Sequence, residues 1–214
     1  MISKNLQHIK STLPENVTLV AVSKTKPISD IQEAYNAGQR IFGENKIQEM
    51  VDKFDALPKD IEWHMIGHLQ SNKVKYMAHF VDLIHGVDKF KTLKEINKQA
   101  KKHNRVINCL LQAKIAKEET KFGFTFNEIA SILASEETSE LKNINIVGLM
   151  GMATFTEDKE QLTEEFLSLK NFFDTQKLQT LSMGMSGDYQ LAIKNGSTMV
   201  RVGSSIFGHR NYNQ

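Results

Sequence analysis

The stretch TLVAVSKTKP, residues 18–27, places two lysines at the end of an apolar run typical of a strand. Because side chains in a strand alternate between faces, Lys24 is predicted to share the inward face of that strand. An ammonium group among apolar neighbours loses hydration, so its pKa falls and the neutral amine can attack an aldehyde. Lys24 is therefore a candidate for a Schiff base. The alternatives are a lysine that reaches solvent or that pairs with a carboxylate such as Glu44, while Lys26, past the strand, is the second candidate for the aldehyde.

Two segments late in the chain have the composition of an anion site. MSGD places Ser186 just before a predicted helix, and VGSSIFG places Gly203 and Ser204 at a turn that opens a short helical segment. Glycine allows close approach to the backbone, and the first amides of a helix are unpaired donors that favour negative charge. Each segment alone is better explained by N-capping through serine. Two such segments on neighbouring strands favour a phosphate.

Arg201 lies within MVRVG, a segment that is otherwise apolar. A guanidinium group keeps its proton and needs acceptors, so Arg201 is predicted either to face a ligand or to form a structural ion pair. A lysine that bonds aldehydes, a phosphate site and an arginine between them together fit pyridoxal 5′-phosphate. In that arrangement the aldehyde meets Lys24 and the pyridine nitrogen faces Arg201. The phosphate lies over Ser186, Gly203 and Ser204.

These residues follow strand-like segments that alternate with amphipathic helical stretches. The eight predicted strands cover residues 18–24, 40–45, 62–68, 83–88, 106–115, 144–152, 180–185 and 199–208. Such alternation is typical of parallel βα units, and eight units close most economically as a (β/α)8 TIM barrel. Ligands of TIM barrels bind at the C-terminal ends of the strands, with phosphate commonly after strands seven and eight. A doubly wound open sheet is the alternative, but no GxGxxG motif follows any predicted strand.

The bulk properties predict one globular α/β domain over residues 1–214, with 40% hydrophobic and 24% charged residues. A net charge of +2 gives no overall field for nucleic acid or an anionic membrane. No apolar run reaches the length of a membrane span, and MISKNLQHIK does not have the pattern of a signal peptide. The lone cysteine, Cys109, cannot form an internal disulfide and indicates a cytoplasmic protein. No HExxH motif or paired His/Cys spacing predicts a metal site.

Several motifs, in order and spread over most of the chain, closely resemble those of the pyridoxal phosphate homeostasis family, the YggS-like proteins. They are AVSKTKP, FGEN with the following QE, WH-IGHLQSNK at residues 63–73, GLM, LSMGMS and GST-VR-G--IFG-R. The resemblance implies a single TIM barrel similar to the N-terminal domain of alanine racemase, the fold-type III class. It implies pyridoxal 5′-phosphate held as an aldimine of Lys24, with Arg201 at the pyridine nitrogen. It also places Asn45, Ser186, Gly203 and Ser204 in segments that line the cofactor.

The chain departs from the family pattern at a few positions. Lys46 follows Asn45 where an aromatic residue is common, Ser204 stands where threonine is frequent, and Gly187 replaces a frequent aspartate. None of these changes removes a group that the cofactor needs, so binding is expected to survive.

The resemblance favours a carrier over an enzyme. Arginine at the pyridine nitrogen leaves that atom unprotonated and weakens the ring as an electron sink. Racemases with this arrangement need a second base, which in alanine racemase is a tyrosine from another domain and subunit. Here the tyrosines are predicted in helices or in the tail, at Tyr35, Tyr76, Tyr189 and Tyr212. We therefore expect a monomeric, non-catalytic carrier that delivers the cofactor to apo-enzymes.

Two other functions stay open from sequence alone. One is a pyridoxal phosphate-dependent racemase-like enzyme of low activity, and the other is a phosphosugar aldolase that forms a Schiff base on a barrel. Further basic residues are predicted either to serve structure or to accept the aldehyde during transfer and gate the mouth. These are Lys26, Lys73, His64, His68 and His85.

Overall fold

A computed structural model describes residues 1–117 and 122–208, in which eight parallel strands close a barrel. The strands are β1 Thr18–Val22, β2 Ile41–Glu44, β3 Glu62–Met65, β4 Leu83–Val87, β5 Ile107–Ala113, β6 Ile144–Gly151, β7 Thr180–Met185 and β8 Met199–Val202. Each strand pairs with the next in the chain, and β8 pairs with β1. The (β/α)8 prediction is confirmed, and the open sheet is excluded.

Helices alternate with the strands. They are α1 Ile2–Ser11, α2 Ile28–Asn36, α3 Ile47–Ala56, α4 Phe90–Lys102, α5 Phe126–Ala134, α6 Glu136–Ser139, α7 Lys159–Thr175, α8 Tyr189–Lys194 and α9 Ser204–Phe207, with a 3₁₀ helix at Ser71–Tyr76. The amphipathic stretch TFNEIASILASEE, residues 125–137, which its pattern predicts as one helix, is divided at Ser135. The extended backbone of Ser135 ends α5, and its hydroxyl caps α6 by accepting from the Thr138 amide. None of the helices in the described ranges has the length and apolarity needed to cross a bilayer.

Apolar side chains pack in two layers, because the strands bury both faces. The barrel interior contains a small apolar cluster of Val20, Leu83, Leu110, Met150 and Met199. The larger cluster lies between barrel and helices and includes the fully buried Phe42, Trp63 and Phe166. Each large side chain removed from water contributes about 1.5–3 kcal/mol to stability. These layers make the barrel a rigid support for the loops at its rim.

Strand β1 ends earlier than the sequence predicted. It stops at Val22, and Lys24 lies in the turn that follows. Thr25 adopts a left-handed backbone with φ of 63°, which breaks the strand alternation at this point. The predicted strand 18–24 was therefore two residues too long, and Lys24 is a turn residue at the rim rather than a strand residue on the inward face.

Candidate functional site

The predicted site residues gather on one side of the barrel rim. They follow the C-terminal ends of strands that are consecutive around the barrel, in the order β7, β8, β1 and β2. Ser186 follows β7, Gly203 and Ser204 follow β8, Lys24 follows β1, and Asn45 follows β2. The barrel thus brings to one sector residues that are up to 180 positions apart in the chain, from Lys24 to Ser204.

The two segments predicted to bind an anion are in direct contact. The backbone N–H of Gly203 donates to the Ser186 hydroxyl at 3.0 Å. Asp188 supports the same turn, because its carboxylate accepts from the Met185 amide at 2.6 Å. Gly203 packs so closely on β1 that a Cβ there would lie 3.1 Å from the Val22 carbonyl oxygen. Backbone and hydroxyl groups of the two segments thus form a compact cradle at the rim.

Ser204 begins α9 and is exposed at this cradle. The first amides of a helix have no intrahelical acceptor, which leaves the Ser204 and Ser205 amides available as donors. At the other side of the sector, Gly67 lies directly against the backbone of Asn45. A Cβ at residue 67 would lie 2.4 Å from the Asn45 carbonyl oxygen, so only glycine allows this approach.

Arg201 lies inside the barrel with 3% of its surface exposed. One guanidinium nitrogen donates to the Ser182 carbonyl at 3.0 Å and to the Ser182 hydroxyl at 2.5 Å, and the other donates to the Gly151 carbonyl at 3.1 Å. All three acceptors are uncharged, and no ion pair to Arg201 is found among the described residues. Burial lowers the pKa of Arg201 to about 10, opposed by the charge of Asp188. The group is therefore a buried cation that keeps its charge at neutral pH and has no salt-bridge partner in the part of the chain described.

Two buried histidines continue this hydrogen-bonded chain. The Ser182 hydroxyl lies 3.0 Å from Nδ1 of His85, and Nε2 of His85 lies 3.0 Å from Nδ1 of His64. Burial lowers the pKa of His64 to about 3 and that of His85 well below its ordinary value. Both rings are thus neutral, and the two contacts are both hydrogen bonds if Ser182 donates to His85 and His85 donates to His64. This burial favours the structural alternative for both histidines over a role at the mouth.

The other predicted basic residues have separate environments. Lys26 donates to the carbonyls of Phe207 and Gly208 at 3.0 and 3.1 Å, so it ties the β1 turn to the end of α9. His68 places Nδ1 3.0 Å from the Asp88 carboxylate and stacks on Phe122.

Lys73 lies within the 3₁₀ helix, with its ammonium group 5.7 Å from the centre of the Tyr76 ring. Within the described residues no group of three or more His, Cys, Asp or Glu side chains is arranged to hold a metal ion.

Sequence reasoning missed the ionic cluster beside Lys24. Glu44, considered as a partner for Lys24, accepts from the Lys53 ammonium at 2.7 Å and from the Ser23 hydroxyl at 2.6 Å. Lys53 lies on the buried face of α3 with Ile47 and Met50, at a spacing of three residues. A lysine at an apolar helix position was the signal that could have revealed this cluster.

The chain matches a family model over nearly its whole length, the alanine racemase N-terminal domain at residues 1–211. It is 40% identical to the pyridoxal phosphate homeostasis protein of Vibrio alginolyticus over 99% of this chain and 98% of that protein. The chain belongs to the pyridoxal phosphate homeostasis protein family. Members of this family therefore provide the comparison for its fold and site.

Solved structures agree with this assignment. PipY of Synechococcus elongatus is 35% identical to this chain. Its structure with pyridoxal phosphate bound superposes with a TM-score of 0.88, and its structure without it with a TM-score of 0.90. Each comparison covers 97% of this chain and 100% of PipY. Alanine racemase of Clostridium difficile superposes with a TM-score of 0.79 at 14% identity, over 99% of this chain and 57% of that enzyme, which shows the shared barrel fold alone.

Proposed function

We propose that this protein binds pyridoxal 5′-phosphate at the rim sector formed by β7, β8, β1 and β2. The observation that carries the proposal is the placement of three features at consecutive strands: the cradle of Ser186 and Gly203 after β7 and β8, the buried cation of Arg201 on β8, and the Lys24 turn after β1. The arrangement matches the three functional groups of the cofactor, which are a phosphate, a pyridine nitrogen and an aldehyde. The pyridoxal phosphate-bound state of PipY, 35% identical to this chain, supports the same ligand.

Each part of the sector has a separate role in this proposal. The Gly203 and Ser204 segment and the Ser186 hydroxyl hold the phosphate. Arg201 donates to the pyridine nitrogen, and because a guanidinium group is only a donor, that nitrogen stays unprotonated. Asn45 lines the ring from the β2 side.

The Lys24 amine adds to the aldehyde carbon, and water leaves as the C=N bond of an aldimine forms. The reverse reaction with water returns the free amine and the free aldehyde. The bond therefore retains a reactive aldehyde without consuming it.

We propose that the protein is a carrier without catalysis of its own. An unprotonated pyridine is a weak electron sink, so carbanion chemistry on the cofactor is not favoured. Two of the tyrosines considered as a second base have other hydrogen-bond partners. Tyr35 donates to Asp60, which precedes β3, and the Tyr189 hydroxyl lies 3.2 Å from Thr12. Tyr212 lies outside the described residues.

The proposal extends to delivery of the cofactor to apo-enzymes by a monomeric cytoplasmic protein. The buried thiol of Cys109, whose pKa is raised by burial, is consistent with a reducing compartment. Alkaline phosphatase, which hydrolyses free pyridoxal phosphate, distinguishes direct transfer from release into solution. Loaded protein is mixed with an apo-transaminase and the phosphatase, and recovery of transaminase activity is measured.

Recovery that survives the phosphatase supports direct transfer, whereas recovery that disappears shows release into solution. The loaded protein is also incubated with L- and D-alanine, and circular dichroism of the amino acid follows racemisation. Racemisation faster than that caused by free pyridoxal phosphate would favour the racemase-like enzyme over the carrier.

A further inference from the structure

We propose that Glu49 and Lys53 of α3 are positioning residues that clamp the turn carrying Lys24. This inference rests on the proposed function, because it assigns the clamp to the lysine that bonds the aldehyde. The clamp is the cluster of Glu44, Glu49 and Lys53 together with the backbone of Ser23 and Thr25 that it holds.

The clamp binds the chain on both sides of Lys24. The Lys53 ammonium donates to the Ser23 carbonyl at 2.8 Å, which belongs to the peptide group before Lys24. The Thr25 amide donates to the Glu49 carboxylate at 2.5 Å, and it belongs to the peptide group after Lys24. The two peptide groups that flank Lys24 are therefore both held by side chains from one helix.

The cluster itself is closed and largely removed from water. Lys53 is 4% exposed, and its ammonium donates to three oxygens, of Ser23, Glu44 and Glu49, at 2.7 to 2.8 Å. Glu44 is fully buried, and its second carboxylate oxygen has no hydrogen-bond partner in the described structure. Burial raises the pKa of Glu44, and the positive charge of Lys53 partly offsets this rise.

A buried ionic cluster of this kind is an inefficient way to stabilise a fold. Buried ion pairs are often no better for stability than well-packed apolar residues of similar volume, because desolvation offsets their attraction. Thr25 also holds a left-handed backbone, with φ of 63°, which is unfavourable for a β-branched residue. Strain of this kind persists when the surrounding contacts over-determine the conformation, and it gathers at functional sites. The structure therefore assigns the cluster to holding one specific turn.

A held turn has a direct consequence for a lysine that must meet an aldehyde. With the backbone on both sides fixed, forming the bond orders only the Lys24 side chain, so less conformational entropy is lost. In the proposed function the phosphate and ring are held by Ser186, Gly203, Ser204, Arg201 and Asn45, none of which belongs to this turn. Loss of the clamp should therefore weaken binding of an aldehyde while leaving binding of the same ring and phosphate unchanged.

The test compares pyridoxal 5′-phosphate with pyridoxine 5′-phosphate, which carries an alcohol in place of the aldehyde. Glu49→Ala removes the acceptor for the Thr25 amide, and because the Glu49 side chain is 24% exposed the variant is expected to fold. Glu49→Gln keeps an acceptor oxygen. Asp52→Ala is the matched control, since Asp52 is an exposed carboxylate on the same helix that accepts from the Gln48 side chain.

We expect Glu49→Ala to lose about tenfold in affinity for pyridoxal phosphate, the scale of one hydrogen bond. Affinity for pyridoxine phosphate should stay within about twofold, and Glu49→Gln should recover most of the loss. An equal loss for both ligands would overturn the clamp in favour of a general structural role, and so would a Glu49→Ala variant that binds pyridoxal phosphate like the wild type. If the wild type binds neither ligand, the proposed function itself fails and the clamp falls with it.

Discussion

The Arg201 guanidinium donates to the Ser182 hydroxyl at 2.5 Å inside the barrel. The same hydroxyl lies 3.0 Å from His85, which lies 3.0 Å from His64, so four polar groups form one chain below the rim. Because every member has a fixed partner, the guanidinium is oriented before any ligand arrives. Preorganised donors of this kind avoid the cost of reordering when a ligand binds.

Replacing this arginine should affect both stability and binding. Arg201→Ala leaves the Ser182 and Gly151 carbonyls without their donor and opens a cavity, so the free energy of unfolding should fall by about 2–4 kcal/mol. Affinity for pyridoxal phosphate should fall as well. Urea unfolding and ligand titration measure the two effects. The control is Arg40→Ala, which removes an exposed arginine paired with Asp60 and should lower the free energy of unfolding by no more than about 1 kcal/mol. Equal stabilities of the two variants would contradict the role of Arg201.

The phosphate cradle makes a prediction about ligand selectivity. Ser186→Ala deprives the Gly203 amide of its acceptor, which should cost about 1 kcal/mol of stability and weaken phosphate binding. The affinity for pyridoxal, which has no phosphate, should not change. The measured quantity is the ratio of the pyridoxal phosphate and pyridoxal affinities. A ratio equal to that of the wild type, or of the exposed-site control Ser11→Ala, would place the phosphate elsewhere.

The buried histidines predict a pH dependence of stability. Burial lowers the pKa of His64 to about 3, whereas an unfolded histidine titrates near about 6.5. Below about pH 6.5 the unfolded chain therefore binds more protons than the folded protein. The stability that depends on a neutral His64 is fully present above that pH and is lost as pH falls, by about 1.4 kcal/mol per pH unit.

Urea unfolding of the wild type and His64→Asn between about pH 6.5 and 4.5 measures this contribution. The free energy of unfolding of the variant should fall less steeply with decreasing pH, by up to about 1.4 kcal/mol per pH unit. Carboxyl groups whose pKa is raised by burial, such as Glu44, act in the opposite direction in both proteins and cancel in the comparison. His8→Asn changes an exposed histidine of α1 and should keep the wild-type slope. Identical slopes for His64→Asn and the wild type would refute the assignment.

Local sequence patterns predicted the elements well where a single period decides the structure. The segment TLSMGM at 180–185 is β7 with the predicted bounds, and the eightfold alternation of strand and helix gave the barrel. The predicted end of β1 was wrong because contacts from α3 determine where the strand stops. Lys53 and Glu49 hold the Ser23–Thr25 backbone in a turn, and no feature of residues 18–27 alone encodes those contacts.

The interior network was missed for a similar reason. His64 and His85 lie on different strands, and the alternation of each strand gives only the face on which the ring lies. Their pairing with each other, and with Ser182 on β7, depends on the closed barrel. The contact between Ser186 and Gly203 was within reach of sequence reasoning, because both follow neighbouring strands of the predicted barrel.

The most direct test of the central claim is to locate the covalent bond. The purified protein is saturated with pyridoxal 5′-phosphate, reduced with borohydride, digested and mapped by mass spectrometry. The account predicts a phosphopyridoxyl group on Lys24, and its loss in Lys24→Ala but not in Lys26→Ala. A modification on Lys26 instead, or no modification after saturation, would contradict it.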